Sequence, residues 1–257
     1  MDKAPASSDP ASDNPSDASD LASDNDQDKA KGTIIGAQSS QLPLIPLLIF
    51  LASIAIYLWR SDFTPRWPMV IGALLILAQM AIRGPFAKNA GNVTVRRDYV
   101  YRFDLIVMFG VFITMAPLPV IRLATPWLDA LDYDLGPIAS AIGVAITLFG
   151  LWFFYRSHAD LGKQWSATLQ IGSDHQLITD GIYARIRHPM YTAIWLCVLG
   201  QPLLFQNWVV GPPVVVVWAI LYFTRLPREE QMMEEHFGSA YQAYRQRAGA
   251  LWPKIQR

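Results

Sequence analysis

Six side chains in two short pieces of this chain could do chemistry together. In the first piece, Arg187-His188-Pro189-Met190-Tyr191 closes a polar stretch and opens an apolar one. In the second, Arg225 is followed at four and five residues by Glu229 and Glu230. A guanidinium can hold a carboxylate in a planar fork, and a carboxylate can partner a cation. Pro189 suits the first helical position and disfavours helix at the residue before it, which predicts His188 at the N-cap and Tyr191 in the first turn. The competing reading is bland. Arg and Tyr collect at membrane-water boundaries, and glutamates in the first turn of a helix simply offset its dipole. Position weighs against it if the chain returns Arg225 and Glu229 to the boundary that carries Arg187, His188 and Tyr191.

Composition says what must do the returning. With 52% apolar residues, 12% aromatics and a positive mean hydropathy, the 257-residue chain reads as one whose solvent is lipid. Six apolar runs follow one another: 42–59, 67–82, 105–121, 138–155, 190–205 and 209–223. Arg83-Gly84-Pro85 is expected to stop the second run, and Pro117 and Pro119 to fray or kink the end of the third. Gly136-Pro137 starts the fourth. The last two runs are short for a 30 Å hydrocarbon core, and with the turn at Asn207 and Gly211-Pro212-Pro213 they form a helical hairpin. Six spans put 18 of the 21 Lys and Arg residues on one side, with Arg60, Arg66 and Arg122 on the other. The positive-inside rule therefore predicts both termini and both polar pieces in the cytoplasm.

Three stretches lie outside those runs. Residues 1–40 hold eight Asp and no Glu and have too few apolar groups to offset ordering entropy, so a disordered tail is expected. No secretory signal peptide is expected there. Residues 156–188 are long for a loop but carry Trp165, Leu169, Ile171, Leu177, Ile178 and Tyr183, which predicts an ordered one. After the hairpin, Pro227 and Gly238 predict two short helices, the second with a Ser239–Gln242 capping box. The lone Cys197 excludes an intrachain disulfide, and the four histidines lack metal-ligand spacing, so no metal is expected and His158 and His236 read as interfacial or solvated. Motifs of the soluble nucleotide folds and metallohydrolases are absent, and no nucleic-acid partner is expected.

Five separated pieces also resemble a known family. They are Leu161-Gly-Lys-Gln-Trp165; His175-Gln-Leu-Ile178-Thr-Asp-Gly-Ile-Tyr183; Arg187-His-Pro-Met-Tyr191; Arg225 with Glu229-Glu230; and Phe237-Gly-Ser-Ala-Tyr241-Gln-Ala-Tyr244 with Pro253. In order and spacing they resemble the isoprenylcysteine carboxyl methyltransferases over roughly residues 140–255. The resemblance implies an integral membrane enzyme using S-adenosylmethionine, with a lipophilic or prenylated acceptor reached from the bilayer. It implies cofactor contacts from His175, Gln176, Leu177, Ile178, Tyr183, His188, Pro189, Met190, Tyr191 and Glu229. Arg225 and Arg187 are implied as catalytic, with Arg225 facing the acceptor's carboxylate. Phospholipid amine methyltransferases, membrane sterol-type reductases using a nicotinamide cofactor, and a non-enzymatic scaffold stay open beside it. The expected fold is an all-α polytopic bundle of about six transmembrane helices. It divides into a tail (1–40), N-terminal transmembrane helices (41–135) and a methyltransferase core (136–257), whose cytoplasmic loop and C-terminal helices form the cofactor site.

Overall fold

Each predicted apolar run is helical in the computed structural model, the third as two helices, and the structure describes residues 44–89, 95–98, 102–162, 170–172 and 176–254. The N-terminal tail and His175 lie outside them. Helices α1 (Leu44–Arg60) and α2 (Trp67–Asn89) are followed by α3 (Arg102–Met115) and α4 (Pro117–Ala124), then α5 (Gly136–Leu161), α6 (Pro189–Phe205), α7 (Pro212–Phe237) and α8 (Ser239–Arg247). The architecture is that of a helical membrane bundle. Three stretches, Trp67–Phe86, Arg102–Ala124 and Gly136–Leu161, are long and apolar enough to cross a membrane, while α1 and α6 are shorter apolar helices. Ile106, Phe109, Ile138 and Phe223 stand exposed on the outer faces. Such groups belong against lipid, and the chain is an integral membrane protein.

Three prolines test the expected helix boundaries, and the chain departs from expectation at two of them. At Pro117 the chain breaks as predicted: Ala116 leaves helical geometry and α4 restarts with Pro117 at its first position. At Pro85 it does not. Helix α2 continues to Asn89, because Phe86 packs against His158 at 5.1 Å and Tyr155 at 6.5 Å on α5, and one missing helical hydrogen bond near an end is a small loss against that contact. Nor does Pro227 begin a new helix. It sits inside α7, which runs unbroken out of the hairpin, while Arg228 donates from Nε to the Thr224 carbonyl at 2.7 Å and pairs with Asp104 on α3. In place of two short helices there is one long helix and then α8. The capping box is not formed either: Gly238, at φ +54°, joins α7 to α8, and Gln242 reaches instead to Glu234 at 2.8 Å.

Among the helix pairs, α5 and α6 pack most extensively, along small residues that let the backbones approach. A Cβ added at Gly200 would lie 2.0 Å from Thr147 Oγ1 and 3.1 Å from the Gly143 carbonyl. Gly200→Val is therefore expected to destabilise the fold by about 1–3 kcal/mol through overpacking. Thermal unfolding in detergent checks this, and an unchanged midpoint would mean that the two helices can part without loss. At the end of the bundle away from the polar pieces, Asp132 accepts from Arg66 (3.1 Å), Arg122 and Asn207 (2.7 Å), tying the α6–α7 turn to the loop after α4.

On the polar end, the loop after α5 is ordered where it is described. Strand β1 (Val95–Asp98) pairs antiparallel with β2 (Gln170–Gly172), so the connection after α2 holds the loop. Helix α5 runs past Tyr155 to Leu161, helped by an Arg156–Asp160 pair at 2.8 Å, and Asp160 then accepts from the Ile182 amide. Gly181 makes that turn possible. Its φ is +57°, and a Cβ there would lie 2.3 Å from Asp160 Oδ2.

Candidate functional site

The loop reaching α6 is fixed from behind by the C-terminal segment. The Arg187 amide donates to the Gly249 carbonyl at 2.8 Å, the His188 amide to Ala250 at 2.9 Å, and the Gly249 amide back to Arg185 at 3.0 Å. Thr192 Oγ1 donates to the Leu251 carbonyl at 2.7 Å, and the Tyr244 hydroxyl donates to the Tyr183 carbonyl at 2.6 Å. This strap escapes sequence reasoning because backbone hydrogen bonds leave no side-chain signature. Its effect is that His188 is the N-cap residue of α6 and Tyr191 lies in the first turn, as the His-Pro pair predicted.

Arg225 and Glu229 come to this place on α7, one helical turn apart. The two glutamates then part company. Glu230 receives Arg187 Nε at 2.9 Å and Nη2 at 3.2 Å, His188 Nε2 at 2.6 Å and the Tyr241 hydroxyl at 3.0 Å. It locks loop, α6, α7 and α8 together. Glu229 instead accepts from the Tyr191 hydroxyl at 2.6 Å and faces His188 Nδ1 at 3.4 Å and Arg225 Nε at 3.9 Å. It lines a cavity of about 590 Å³. Every described member of the expected site lines the same cavity: Gln176, Leu177, Ile178, Tyr183, Arg187, His188, Pro189, Met190, Tyr191, Arg225 and Glu229. The Arg187 guanidinium is engaged by Glu230 and by the Ala248 carbonyl.

The cavity extends beyond those residues into the N-terminal half. Ile76, Gln79, Met80 and Arg83 of α2 line it, as do Met108, Val111, Phe112 and Met115 of α3. Each set falls at i, i+3, i+4 and i+7, a single stripe on its helix, so helical periodicity was the signal that could have found them. In sequence Arg83 belongs to the Arg83-Gly84-Pro85 stop signal, which gives no hint of this place in the cavity. His158 also lines the cavity and is fully buried, with Nδ1 donating to the Phe154 carbonyl at 2.8 Å, so the expected interfacial or solvated side chain is a buried one. The reason is tertiary: α2 covers it with Phe86. His236 is exposed, as expected.

Electrostatics hold the clamp together. Burial pushes the Glu230 carboxyl up, but the hydrogen bonds and charges of His188 and Arg187 outweigh it and bring it to about 2. Burial pushes the His188 imidazole down, and the flanking Glu229 and Glu230 more than reverse this, so its pKa stands above the ordinary 6.5. The two groups work in opposite directions with pH. Glu230, depressed from 4.5, stabilises the fold above pH ~4.5, and that contribution is lost as pH falls towards ~2. His188, raised, contributes fully below its unfolded value, and that contribution is lost as pH rises through the folded one. Unfolding of the detergent-solubilised protein is therefore expected to become easier as pH rises above ~6.5. His188→Gln should remove that alkaline limb, and its persistence in the variant would assign it to another group.

Comparison with known proteins bears on which family this arrangement belongs to. Residues 141–235 match the model of the Isoprenylcysteine carboxyl methyltransferase (ICMT) family. Over that stretch, a little over a third of its length, the chain is similar to this family. Among curated relatives, the protein-S-isoprenylcysteine O-methyltransferase of Schizosaccharomyces pombe is 35% identical over 82 residues, 32% of this chain and 35% of that protein. The protein of the same name from Tribolium castaneum is 28% identical over 119 residues, 46% of this chain and 42% of that protein. The chain thus matches about two fifths or less of the length of these two relatives. The solved structure of a eukaryotic intramembrane Ras methyltransferase ICMT is 20% identical and covers 84% of this chain and 87% of that one, with a TM-score of 0.42. The matched stretch holds α6, the α5 helix that packs on it from Ala141 onward, and α7 as far as Glu235, so it contains Arg187, His188, Tyr191, Arg225, Glu229 and Glu230. The α2 and α3 stripes and the C-terminal strap lie outside it.

Proposed function

We propose that this protein is an S-adenosylmethionine-dependent methyltransferase of the membrane interface that esterifies the carboxylate of a lipophilic, isoprenylcysteine-like acceptor. The observation that carries the reading is the position of Arg225. Its guanidinium stands 3.9 Å from Glu229 and 3.6 Å from Met108 Sδ, at the junction between the polar end of the cavity and its apolar end. A group there can hold an acid whose tail lies among apolar side chains.

The donor set fits the cofactor. A sulfonium and an ammonium call for a carboxylate and for aromatic faces, and Glu229 lies in one cavity with Tyr183, Tyr191, Tyr241 and Tyr244. Gln176, Leu177 and Ile178 supply a polar and apolar edge beside them. His175 is assigned to the same contact set on the resemblance alone. The cofactor, when bound, supplies an activated methyl group.

The chain's own residues then have three tasks. Arg225 fixes the acceptor's carboxylate, which is already ionised near neutral pH and needs no general base. Glu229, oriented by Tyr191 and His188, holds positive charge beside it. Arg187 is a positioning residue, holding Glu230 and so the angle between α6 and α7. Apolar side chains from α3, with Ile76 and Met80 of α2, exclude water from the nucleophile, which raises its reactivity. The positive-inside count supports a site open to the cytoplasm, with both termini there, the cofactor entering from water and the acceptor from lipid.

The test is a pair of titrations on purified protein, S-adenosylmethionine against NADPH, followed by ester formation on a prenylated cysteine. Binding of the first alone, with base-labile methyl incorporation, is the expected result. Saturable NADPH binding would make the protein a reductase.

A further inference from the structure

His188 stands between two carboxylates, and only one of its protonation states suits both. Its Nε2 lies 2.6 Å from Glu230 Oε1 and its Nδ1 3.4 Å from Glu229 Oε1. Burial raises both carboxyls, but the hydrogen bonds and charges around them outweigh it, so both glutamates are ionised at neutral pH. Neither has a proton to give. A neutral imidazole donates from one nitrogen and turns a lone pair outward from the other, which would leave one carboxylate facing a lone pair. The imidazolium donates from both. The ring is buried, which alone would favour the neutral form, yet the two glutamates hold its pKa above the ordinary value.

The two contacts are not equivalent. Glu230 is also held by Arg187, by the Tyr241 hydroxyl and by Arg245 at 3.6 Å, and it is not among the described residues lining the cavity. Glu229 does line it, with the Tyr191 hydroxyl at 2.6 Å and Arg225 Nε at 3.9 Å. The longer contact, at Nδ1, is therefore the one made to the cavity's own carboxylate. Between about pH 5.5 and 7.0 the arginines and tyrosines around His188 keep their charge states. Burial pushes the Tyr183, Tyr191 and Tyr241 hydroxyls further up still. His188 is the member of this cluster that can change charge there.

We propose that His188 is a proton-linked competitor for Glu229: its Nδ1 proton and the positive charge of the methyl donor exclude one another, so cofactor binding releases a proton. When Glu229 turns to the charge of S-adenosylmethionine, the Nδ1–H bond breaks, the proton passes to water, and Nε2–H stays on Glu230. The clamp between α6 and α7 survives while Glu229 is handed over. The argument concerns one proton at one nitrogen, so it holds whatever else surrounds the two groups. Affinity for the cofactor then rises with pH until His188 is neutral before binding, and one proton limits the rise to about tenfold per pH unit. The inference rests on the reading of Glu229 as the carboxylate that meets the cofactor, but not on methyl transfer taking place.

The experiment titrates full-length protein in lipid nanodiscs with S-adenosylmethionine, by calorimetry, between about pH 5.5 and 7.0, where the cofactor's own α-amino group stays charged. Each titration is repeated in a second buffer of different ionisation enthalpy, which counts the protons released. The variants are His188→Gln, His188→Asn and His236→Gln. Asparagine suits the N-cap place of His188 and keeps the fold accessible should glutamine fail there. Wild type is expected to bind about tenfold or more tightly at the upper pH, releasing close to one proton, and both His188 variants to vary by less than about threefold with none released. His236 is exposed, and its variant should behave as wild type. Affinity in wild type that is flat in pH, or proton uptake, overturns the proposal and leaves the proposed methyltransferase standing. So does a slope that survives in the His188 variants, which would assign the proton to another group such as His158 of the same cavity. No binding at any pH overturns both. If the linkage is found but no acid is ever methylated, the His188 proposal stands and the proposed activity fails.

Discussion

Arg225→Lys is expected to lose methyl transfer by about 100-fold or more while cofactor affinity stays within about threefold of wild type. Lysine keeps the positive charge and the reach along Met108 but not the planar fork that grips a carboxylate at two points. The methyl-accepting oxygen would then be free to turn, and a misplacement of about 1 Å is enough for a loss of this size. The bland alternative, a cation merely snorkelling at the end of a span, expects almost no change, because lysine snorkels as well as arginine. Turnover on a prenylated cysteine and calorimetric cofactor affinity are measured on the same preparations. If turnover survives, Arg225 is not the acceptor clamp. If cofactor binding falls together with turnover, the division of labour between Arg225 and Glu229 is wrong.

At Glu229 the expected loss lies in cofactor binding. Glu229→Gln keeps the shape and can still accept from the Tyr191 hydroxyl, but it removes the charge that faces His188 and Arg225. The cofactor should bind about 1.5–3 kcal/mol more weakly, roughly 10- to 150-fold, the range for a hydrogen bond to a charged group. Glu230→Gln makes the contrast. Glu230 is held by Arg187, His188 and Tyr241 and is not among the described residues lining the cavity, so its variant should lower the unfolding midpoint, with cofactor affinity falling only as far as the fold does. A cofactor dissociation constant that is unmoved in Glu229→Gln would place the cofactor elsewhere in the cavity.

Much of this site could be read before any coordinates. Pro189 placed His188 and Tyr191, because a ring that fixes φ and crowds the preceding residue acts locally whatever surrounds it. The apolar runs gave the helices, since a segment without charges has few alternatives in lipid. The four-residue spacing of Arg225 and Glu229 put them on one helical face. The resemblance picked out residues that the fold brings to one cavity, apart from His175, which lies outside the described residues.

Local rules could not choose which of the two adjacent glutamates serves the cavity, and only the resemblance singled out Glu229. Neighbours on a helix point about 100° apart, and either could face inward until Arg187, His188 and Tyr241 close around Glu230 and leave Glu229 to the lining. Pro85 and Pro227 looked like helix boundaries because local rules count the missing hydrogen bond. The contacts that offset it, Phe86 on His158 and Arg228 with Asp104, join residues 72 and 124 positions apart. His158 looked solvated for the same reason, since the helix that buries it is distant in the chain. Local sterics and solvent preference act over a few neighbouring residues and can be read along the chain. The choice between Glu229 and Glu230, the burial of His158 and the entry of Arg83 into the cavity depend on packing between distant helices, which exists only once the bundle has formed.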